Sequence, residues 1–328
     1  MTDRIASFEG VREAARQITG VAVRTPLIES PALNERLGGR VLLKAETLQV
    51  AGAFKFRGAY NRISRLTEAE KARGVVAYSS GNHAQAVAAA ARMVGTSAII
   101  VMPADSPKVK VEGVIGFGGE VRMYDRYTES REAIGEEIAA TRGSVLVRPF
   151  DDPFIIEGQG TTGLEIVEQA DGPIDQLLCG ASGGGLIAGI NLSMAALSPD
   201  TRVIGVEPEA YNDTQLSMAA GERLTHAPVA RPSICDALMT DRPGELTFPI
   251  NRRLAEVLTV SDAEVAEAVC YAFRVLKLVV EPGGAVSLAA LLAGKVEARD
   301  RTTVAVLSGG NIDPSLFSAI IENRFQPA

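Results

Sequence analysis

Tryptophan is absent from the sequence, and aromatic residues make up only 5% of its 328 residues. So few rings leave little on which exposed bases could stack, which argues against a surface for single-stranded nucleic acid. The net charge is −7, from 33 Lys and Arg against 40 Asp and Glu, so the chain has no overall positive field. We therefore expect no nucleic-acid partner.

Cysteine and histidine are also scarce. Cys179, Cys235 and Cys270 form no CxxC pair, and only His83 and His226 are available to complete a zinc site. The sequence therefore disfavours a zinc centre or a disulfide scaffold, and it favours reduced thiols in a cytoplasmic protein.

One uncharged run, from Gln176 to Pro199, is long enough to span a bilayer. Five glycines interrupt it, so a strand, a glycine turn and a helix explain it better. The first residues, MTDRIASFEG, contain charges and no apolar segment, so we expect neither a secretory signal nor a membrane span.

Short β-rich segments alternate with alanine-rich helical ones, as in parallel sheets with crossover helices. Strands are predicted at Val41–Ala45, Val75–Ser79, Ala98–Val101, Glu120–Met123, Ser144–Val147, Gln176–Cys179, Val203–Val206 and Thr303–Leu307. The length suits two lobes, and the strands predict a small domain at 73–145 nested in a large domain formed by 1–72 and 146–328.

Several helix starts are also readable. Thr67 with Glu70, and Ser261 with Glu264, have the spacing of capping boxes. Pro31 is predicted to open a short helix that ends at a glycine pair.

Three segments that follow predicted strands carry the candidate chemistry, because open parallel sheets bind ligands beyond the carboxyl ends of their strands. In the first, AGAFKFRGA, Lys55 lies between Phe54 and Phe56 at the predicted start of a helix. An amine is nucleophilic only when neutral, and apolar neighbours and a helix N-terminus both lower its pKa. Lys55 is therefore a candidate nucleophile, with a solvated surface lysine as the alternative.

The second segment, SSGNHAQA, is a polar turn between a strand and a helix. Ser79, Ser80 and Asn82 crowd this turn, where backbone N–H groups can bind a carboxylate or a ring hydroxyl. The alternative is that Asn82 only caps the helix and His83 lies in its first turn.

The third segment, CGASGGGLIAG, places three glycines between a strand and a helix, where backbone N–H groups can approach a phosphate. It also matches G-x-G-x-x-A from Gly183 to Ala188, with Glu207 about twenty residues later. A nicotinamide-dependent oxidoreductase and a purely structural packing turn are the two alternatives.

Two further features are weaker by themselves. Glu207 and Asp213 lie six residues apart in VEPEAYND, a spacing that can bind a hard cation with the help of carbonyl and water oxygens. Surface carboxylates without an ion are the alternative. Ser308 follows the last predicted strand, in LSGGN, which alone is only a turn.

Together, AGAFKFRGA, SSGNHAQA, SGGGLIAG and LSGGN occur in the order and spacing of pyridoxal-phosphate (PLP) enzymes of fold type II. From about Arg24 to Asp313 the sequence resembles the serine/threonine dehydratase and serine racemase group. The resemblance implies an α/β fold similar to the tryptophan synthase β subunit, with two lobes, each an open, twisted, mainly parallel sheet flanked by helices. It also implies pyridoxal 5′-phosphate as the cofactor and a homodimer.

By this resemblance Lys55, beside Phe54, would hold the cofactor as an imine and act as the base at the substrate Cα. Asn82 would bind the cofactor ring hydroxyl, and Ser308 would face the pyridine nitrogen. A neutral hydroxyl at that nitrogen makes the ring a weaker electron sink, which favours prompt loss of a β-substituent. The phosphate would be seated by N–H groups of Ser182, Gly183, Gly184, Gly185 and Leu186, and the substrate carboxylate by Ser79, Ser80, Asn82 and His83.

The resemblance implies two further sites. Ser80 matches the hydroxyl base of serine racemases, which makes racemisation an alternative activity. Glu207, the carbonyl of Tyr211 and Asp213 match the divalent-cation site of the group, with Mg²⁺ the expected ion. The chain departs from many relatives at Ala53, where they carry a serine, and at Tyr211, which replaces a small residue.

GAFKFRGA, YDRYTESRE and GVEPEAYND look most like the 3-hydroxyaspartate dehydratase branch. There Arg131 could meet a second substrate carboxylate, a contact that suits its bidentate fork. The alternative is a solvated helix charge beside Glu129 and Glu132.

We therefore expect a dehydratase (ammonia-lyase) that converts 3-hydroxyaspartate, serine or threonine to a 2-oxo acid and ammonia. An amino-acid racemase is the second interpretation and an NAD-dependent oxidoreductase the third. A binding module without catalysis is the fourth, because a fold can keep its pocket and lose its chemistry.

Overall fold

The computed structural model describes residues 4–79, 81–106, 108–227 and 233–327, and within these ranges the chain forms ten β-strands and fourteen α-helices. The strands are β1 (Leu27–Glu29), β2 (Arg40–Ala45), β3 (Val75–Tyr78), β4 (Ala98–Pro103), β5 (Glu120–Tyr124), β6 (Val145–Leu146), β7 (Gln176–Gly180), β8 (Arg202–Pro208), β9 (Glu256–Val260) and β10 (Thr302–Leu307). The helices are α1 (Phe8–Ile18), α2 (Pro31–Leu37), α3 (Lys55–Ile63), α4 (Glu68–Arg73), α5 (Asn82–Val94), α6 (Lys108–Gly116), α7 (Arg131–Arg142), α8 (Pro153–Gln169), α9 (Gly185–Leu197), α10 (Asp213–Ala220), α11 (Thr247–Asn251), α12 (Asp262–Tyr271), α13 (Pro282–Leu292) and α14 (Pro314–Ile321).

The strands form two sheets. The larger sheet has the order β1-β2-β10-β7-β8-β9, and the smaller has the order β5-β4-β3-β6. The smaller sheet is parallel throughout, and in the larger sheet β1 alone runs antiparallel to its neighbour, among the described strands. The strands of the smaller sheet all lie between Val75 and Leu146; the domain boundaries themselves stay a prediction.

All eight strands expected from the sequence are present, with ends that agree to within two residues. The capping boxes at Thr67 and Ser261 are confirmed, and so is the helix that Pro31 opens. Two further strands, β1 and β9, were not predicted from the sequence. β1 has only three residues at a sheet edge, too few to show alternation, and the burial of β9 follows no regular period.

Small residues bring the helices close to the sheets. Six buried alanines of α5 pack in the same core as β3 and β4. A side chain at Gly189 would lie 2.4 Å from the backbone nitrogen of Gly160, so the lack of one lets α8 and α9 touch directly. The small residues therefore let α5 pack on the smaller sheet and let α8 pack directly on α9.

The uncharged run from Gln176 to Pro199 forms β7, the glycine turn and α9, as the sequence predicts. None of the described helices has both the length and the apolar character that crossing a bilayer requires.

A network of buried ion pairs stabilises the start of α3. The Arg57 guanidinium donates hydrogen bonds to Glu46 at 2.8 Å and to Glu165 at 2.6 Å, and Lys44 Nζ donates to Glu165 at 2.7 Å. Two cations and two carboxylates therefore balance one another beneath the segment that carries Lys55. Breaking such a pair is costly, because it leaves an uncompensated buried charge.

Candidate active site

Four of the segments singled out in the sequence meet at one cavity of about 150 Å³. They follow β2, β3, β7 and β10, so the cavity lies at the carboxyl ends of strands from both sheets. Of the residues expected in the site, the cavity wall includes Phe54, Lys55, Ser79, Asn82, His83, Arg131, Ser182, Gly183, Gly184, Gly185, Leu186 and Ser308. Ser80 lies outside the described residues, and its expected role stays a prediction.

Lys55 is the first residue of α3. Its Nζ donates a hydrogen bond to the Pro149 carbonyl at 2.8 Å and lies 5.1 Å from the centre of the Phe54 ring. Burial among protein atoms lowers the pKa of Lys55 to about 8, because the charged form loses its hydration. About a tenth of this amine is therefore neutral, and so nucleophilic, at pH 7, a far larger fraction than for an exposed lysine.

The turn after β3 holds Asn82 and His83 in the first turn of α5. The N-cap residue is Gly81, so the interpretation of Asn82 as a helix cap is wrong; its side chain bonds to Glu281 and Asn311 instead. His83 is buried, its Nε2–H donates to the Val147 carbonyl at 2.9 Å, and burial lowers its pKa to about 3. His83 is therefore a neutral imidazole.

The glycine turn leads directly into α9. A side chain at Gly183 would lie 2.3 Å from the Phe150 ring, and Gly184 has φ +87° with Asn251 in the way of any Cβ. The carbonyls of Gly183 and Gly184 accept hydrogen bonds from Thr247 and Asn251. Because a trans peptide points its N–H opposite its C=O, the N–H groups of Gly184 and Gly185 point away from those partners.

Ser308 follows β10 and is buried in the cavity wall, where its carbonyl accepts the Phe54 N–H at 3.1 Å. Ser182, at the start of the glycine turn, shares a hydrogen bond with the Thr240 hydroxyl. Both hydroxyl groups are neutral polar groups in the wall of the cavity.

Arg131 begins α7 and reaches the cavity wall. Its guanidinium pairs with Glu132 at 2.6 Å and lies 5.7 Å from the centre of the Tyr78 ring, and 43% of its side chain is exposed. Arg131 therefore lies in the cavity wall and is also paired with a helix carboxylate, and its expected contact with a substrate carboxylate stays a prediction.

Glu207 and Asp213 lie outside the cavity wall but near the glycine turn, since Thr214 Oγ1 donates to the Ser182 carbonyl at 3.4 Å. Glu207 accepts the N–H groups of Thr214 and Gln215, and both oxygens of buried Asp213 lack a hydrogen-bond partner among the described residues. Burial and mutual repulsion raise the pKa of the Asp213 carboxyl. Within the described ranges, no cluster of three or more His, Cys, Asp or Glu side chains is placed to bind a metal.

Three acidic or basic residues of the cavity wall were missed in the sequence: Lys110, Asp236 and Glu281. Lys110 of α6 forms an ion pair with Asp236, and Glu281 precedes α13 and bonds to Asn82. Lys110 and Asp236 lie in no glycine-rich or repeated pattern. Only Glu281 had a signal in the sequence, because it stands immediately before a Pro-Gly-Gly helix start.

The side chains and backbone groups of the cavity fit pyridoxal phosphate. It holds an amine whose pKa is lowered to about 8, and a glycine turn at the N-terminus of a 13-residue helix, which together match an aldehyde and a phosphate. The acidic side chains in the wall, Asp236 and Glu281, belong to segments other than that turn. An anion bound at the turn therefore contacts backbone N–H groups and no carboxylate of the turn itself.

Comparison with known proteins agrees with this geometry. The family model described as pyridoxal-phosphate dependent enzyme matches residues 18–309. The chain belongs to this family. It is 42% identical over 320 residues to an L-threo-3-hydroxyaspartate ammonia-lyase of a Pseudomonas species, covering 97% of this chain and 99% of that protein.

Two further relatives cover nearly the whole chain. The catabolic L-threonine dehydratase of Escherichia coli K12 is 38% identical over 321 residues, 97% of each chain. The structure of maize serine racemase superposes with a TM-score of 0.91 at 36% identity, covering 98% of each chain. The predicted fold type II architecture is confirmed.

The family does not support the nicotinamide alternative, and neither does Glu207. A dinucleotide site needs an accessible acidic residue for the ribose hydroxyl. Glu207 is fully buried, and each of its oxygens already accepts a backbone N–H.

We expect the amine of Lys55 in the cofactor-free protein to react with acetic anhydride at half its maximal rate near pH 8, because burial lowers its pKa to about 8. Competitive labelling across pH, read by mass spectrometry, measures this rate. Lys108, whose side chain is 90% exposed, corrects for the pH dependence of the reagent. A midpoint above about pH 10 for Lys55 would contradict its burial.

Proposed function

We propose that the chain is a PLP-dependent dehydratase (ammonia-lyase) that eliminates water from a β-hydroxy amino acid to give a 2-oxo acid and ammonia. One observation carries the proposal: a lysine with a lowered pKa shares a cavity with a glycine turn at a helix N-terminus. The names of the relatives support the reaction class. When bound, the cofactor supplies the electron sink that makes the α-proton acidic and lets the β-hydroxyl leave.

Lys55 holds the cofactor and moves the proton. Its neutral amine would hold an aldehyde cofactor, and the same amine would accept the α-proton of the substrate. The Pro149 carbonyl, 2.8 Å from Nζ, fixes the amine in direction without adding a charge that would keep it protonated. Proximity and a lowered pKa together suit a base that works near neutral pH.

The turn after β3 binds the substrate carboxylate. Ser79, Asn82 and His83 line the cavity at the N-terminus of the 13-residue α5, where N–H groups favour an anion. His83 is neutral, so the carboxylate is held by hydrogen bonds and the helix dipole, with no added cation from this residue.

The glycine turn binds the phosphate, and Ser308 sets the electronic character of the ring. Thr247 and Asn251 hold the carbonyls of the turn, which leaves the opposite N–H groups for the phosphate oxygens. Ser308 would offer a neutral hydroxyl to the pyridine nitrogen, which would make the ring a weaker electron sink and favour elimination over transamination.

The reaction class is tested by supplying the holoprotein with stereoisomers of serine, threonine and 3-hydroxyaspartate. We expect ammonia and 2-oxo acid in equal amounts, and Lys55→Ala to lower the rate at least about a thousandfold, because base and cofactor anchor are both lost. Borohydride trapping should attach the cofactor to Lys55, and exposed Lys108→Ala is the control. Conversion of one enantiomer to the other without ammonia would identify a racemase instead.

We propose 3-hydroxyaspartate as the preferred substrate, with Arg131 binding its second carboxylate. Arg131 faces the cavity, and the side chain of its partner Glu132 is 47% exposed. Arg131 can therefore leave Glu132 and pair with a substrate carboxylate instead.

Arg131→Met should therefore lower kcat/KM for 3-hydroxyaspartate about tenfold more than for serine, the difference expected for one charged hydrogen bond. Steady-state kinetics with both substrates measure the ratio. Arg126→Met removes an exposed arginine that pairs with Asp105 and is the matched control. Equal losses on both substrates would return Arg131 to a surface-charge role.

We also propose that Glu207, Asp213 and the carbonyl of Tyr211 hold Mg²⁺. Two carboxyl groups that repel one another in a buried place are a suitable ligand set for a hard divalent cation, which would offset their charge. The two unpartnered oxygens of Asp213, among the described residues, support this.

Added Mg²⁺ should raise the melting temperature of the protein, because the ion binds only the folded state. Above about pH 8, where the Asp213 carboxyl is ionised, Asp213→Asn should melt higher than wild type without Mg²⁺, since one repelling charge is gone, and it should lose the response to the ion. Differential scanning fluorimetry with and without chelator measures both effects. An unchanged response in Asp213→Asn would place the ion elsewhere.

We further propose a cytoplasmic homodimer whose protomer has a small domain at 73–145 and a large domain at 1–72 and 146–328. The positions of the two sheets along the chain support the domain boundaries.

A further inference from the structure

Glu281 is a buried carboxyl group in the cavity wall to which the proposed reaction assigns no task. It is 2% exposed and immediately precedes α13. Burial and the nearby Asp236 raise the pKa of Glu281 to about 8, although the hydrogen bond from Asn82 and the charge of Lys110 oppose the rise. Such a group is expensive to bury, so its contacts indicate what it does.

The contacts form a chain of hydrogen bonds through Asn82. Asn311 Nδ2 donates to the Ala51 carbonyl at 2.8 Å and to Asn82 Oδ1 at 2.8 Å, and Asn82 Nδ2 donates to Glu281 Oε1 at 2.5 Å. Because the Ala51 carbonyl can only accept, the nitrogen of Asn311 is fixed on that side. The oxygen of Asn82 must then face Asn311, and its nitrogen must face Glu281.

Packing leaves this arrangement little freedom. A Cβ at Gly309 would lie 2.1 Å from Glu281 Oε1 and 3.2 Å from Asn82 Nδ2, so the backbone of Gly309 fits against both groups. Glu281 lies between β9 and β10 of the larger sheet, and Asn311 comes after β10. Asn82 comes after β3 of the smaller sheet. The amide of Asn82 is thus held from the opposite side of the cavity.

We propose that Glu281 and Asn311 are positioning residues, which hold the Asn82 amide so that its second N–H is available to an oxygen of the cofactor. This inference rests on the proposed cofactor site. Glu281 accepts one N–H of Asn82, and Asn311 occupies its oxygen, so the amide cannot turn that oxygen toward the ligand. A flipped amide would present a lone pair to the cofactor hydroxyl oxygen and repel it when that oxygen is ionised.

The test replaces Glu281 in two ways and measures cofactor binding, absorbance and stability. Glu281→Met has similar size but no acceptor, and should weaken cofactor binding about tenfold and change the ratio of the two cofactor absorbance bands. Glu281→Gln keeps an acceptor oxygen and should stay within about threefold of wild type. Glu157→Met, at a buried glutamate that pairs with Arg4, shows what the loss of a buried carboxylate does by itself.

A double-mutant cycle decides whether Glu281 acts through Asn82. Once Asn82→Ala is present, Glu281→Met should weaken cofactor binding no further, because the group it positions is gone. Additive losses, or a Glu281→Met variant with wild-type affinity and spectrum, would overturn the proposal. These readouts need no turnover, so a protein that binds cofactor normally but releases no ammonia would refute the lyase and leave this inference standing.

Discussion

The constraint on which the site depends is that an amine must lose its charge inside the protein. Lys55 achieves this by burial alone, with the Pro149 carbonyl as its hydrogen-bond partner. A carboxylate beside it would have kept the ammonium form and removed its nucleophilicity. Glu46 and Glu165, which contact α3 through Arg57, are paired with Arg57 and Lys44, so their charges are already balanced.

The sequence predicted the site because its chemistry depends on local backbone geometry. A glycine turn and a polar turn, each between a strand and a helix, are legible in sequence, and parallel topology brings the ends of their strands to one cavity. The larger part of the fold was predicted from the alternation of short β-rich segments with helical segments along the chain. β1 and β9 were not predicted, because neither gives a periodic signal in the sequence: β1 is a short edge strand, and β9 has an irregular burial pattern.

The rest of the site could not be predicted, because it arises from pairs that are distant in the chain. Glu281 lies 199 residues from Asn82, and Lys110 lies 126 residues from its partner Asp236. Neither member of either pair stands in a motif that identifies the other. Asn82 shows this for a single residue. Its position in the sequence offered a helix cap as one interpretation, but in the fold its side chain forms hydrogen bonds with residues distant in the chain, such as Asn311.

These distant pairs share one property, because each joins a segment of the smaller sheet to one of the larger. Lys55 meets the Pro149 carbonyl, Asn82 meets Glu281, and Lys110 of α6 meets Asp236. The groups that lower a pKa, orient an amide or balance a charge therefore come from opposite walls of the cavity. Cofactor chemistry in this fold then depends on the two sheets being packed together, since either sheet alone carries only half of each contact.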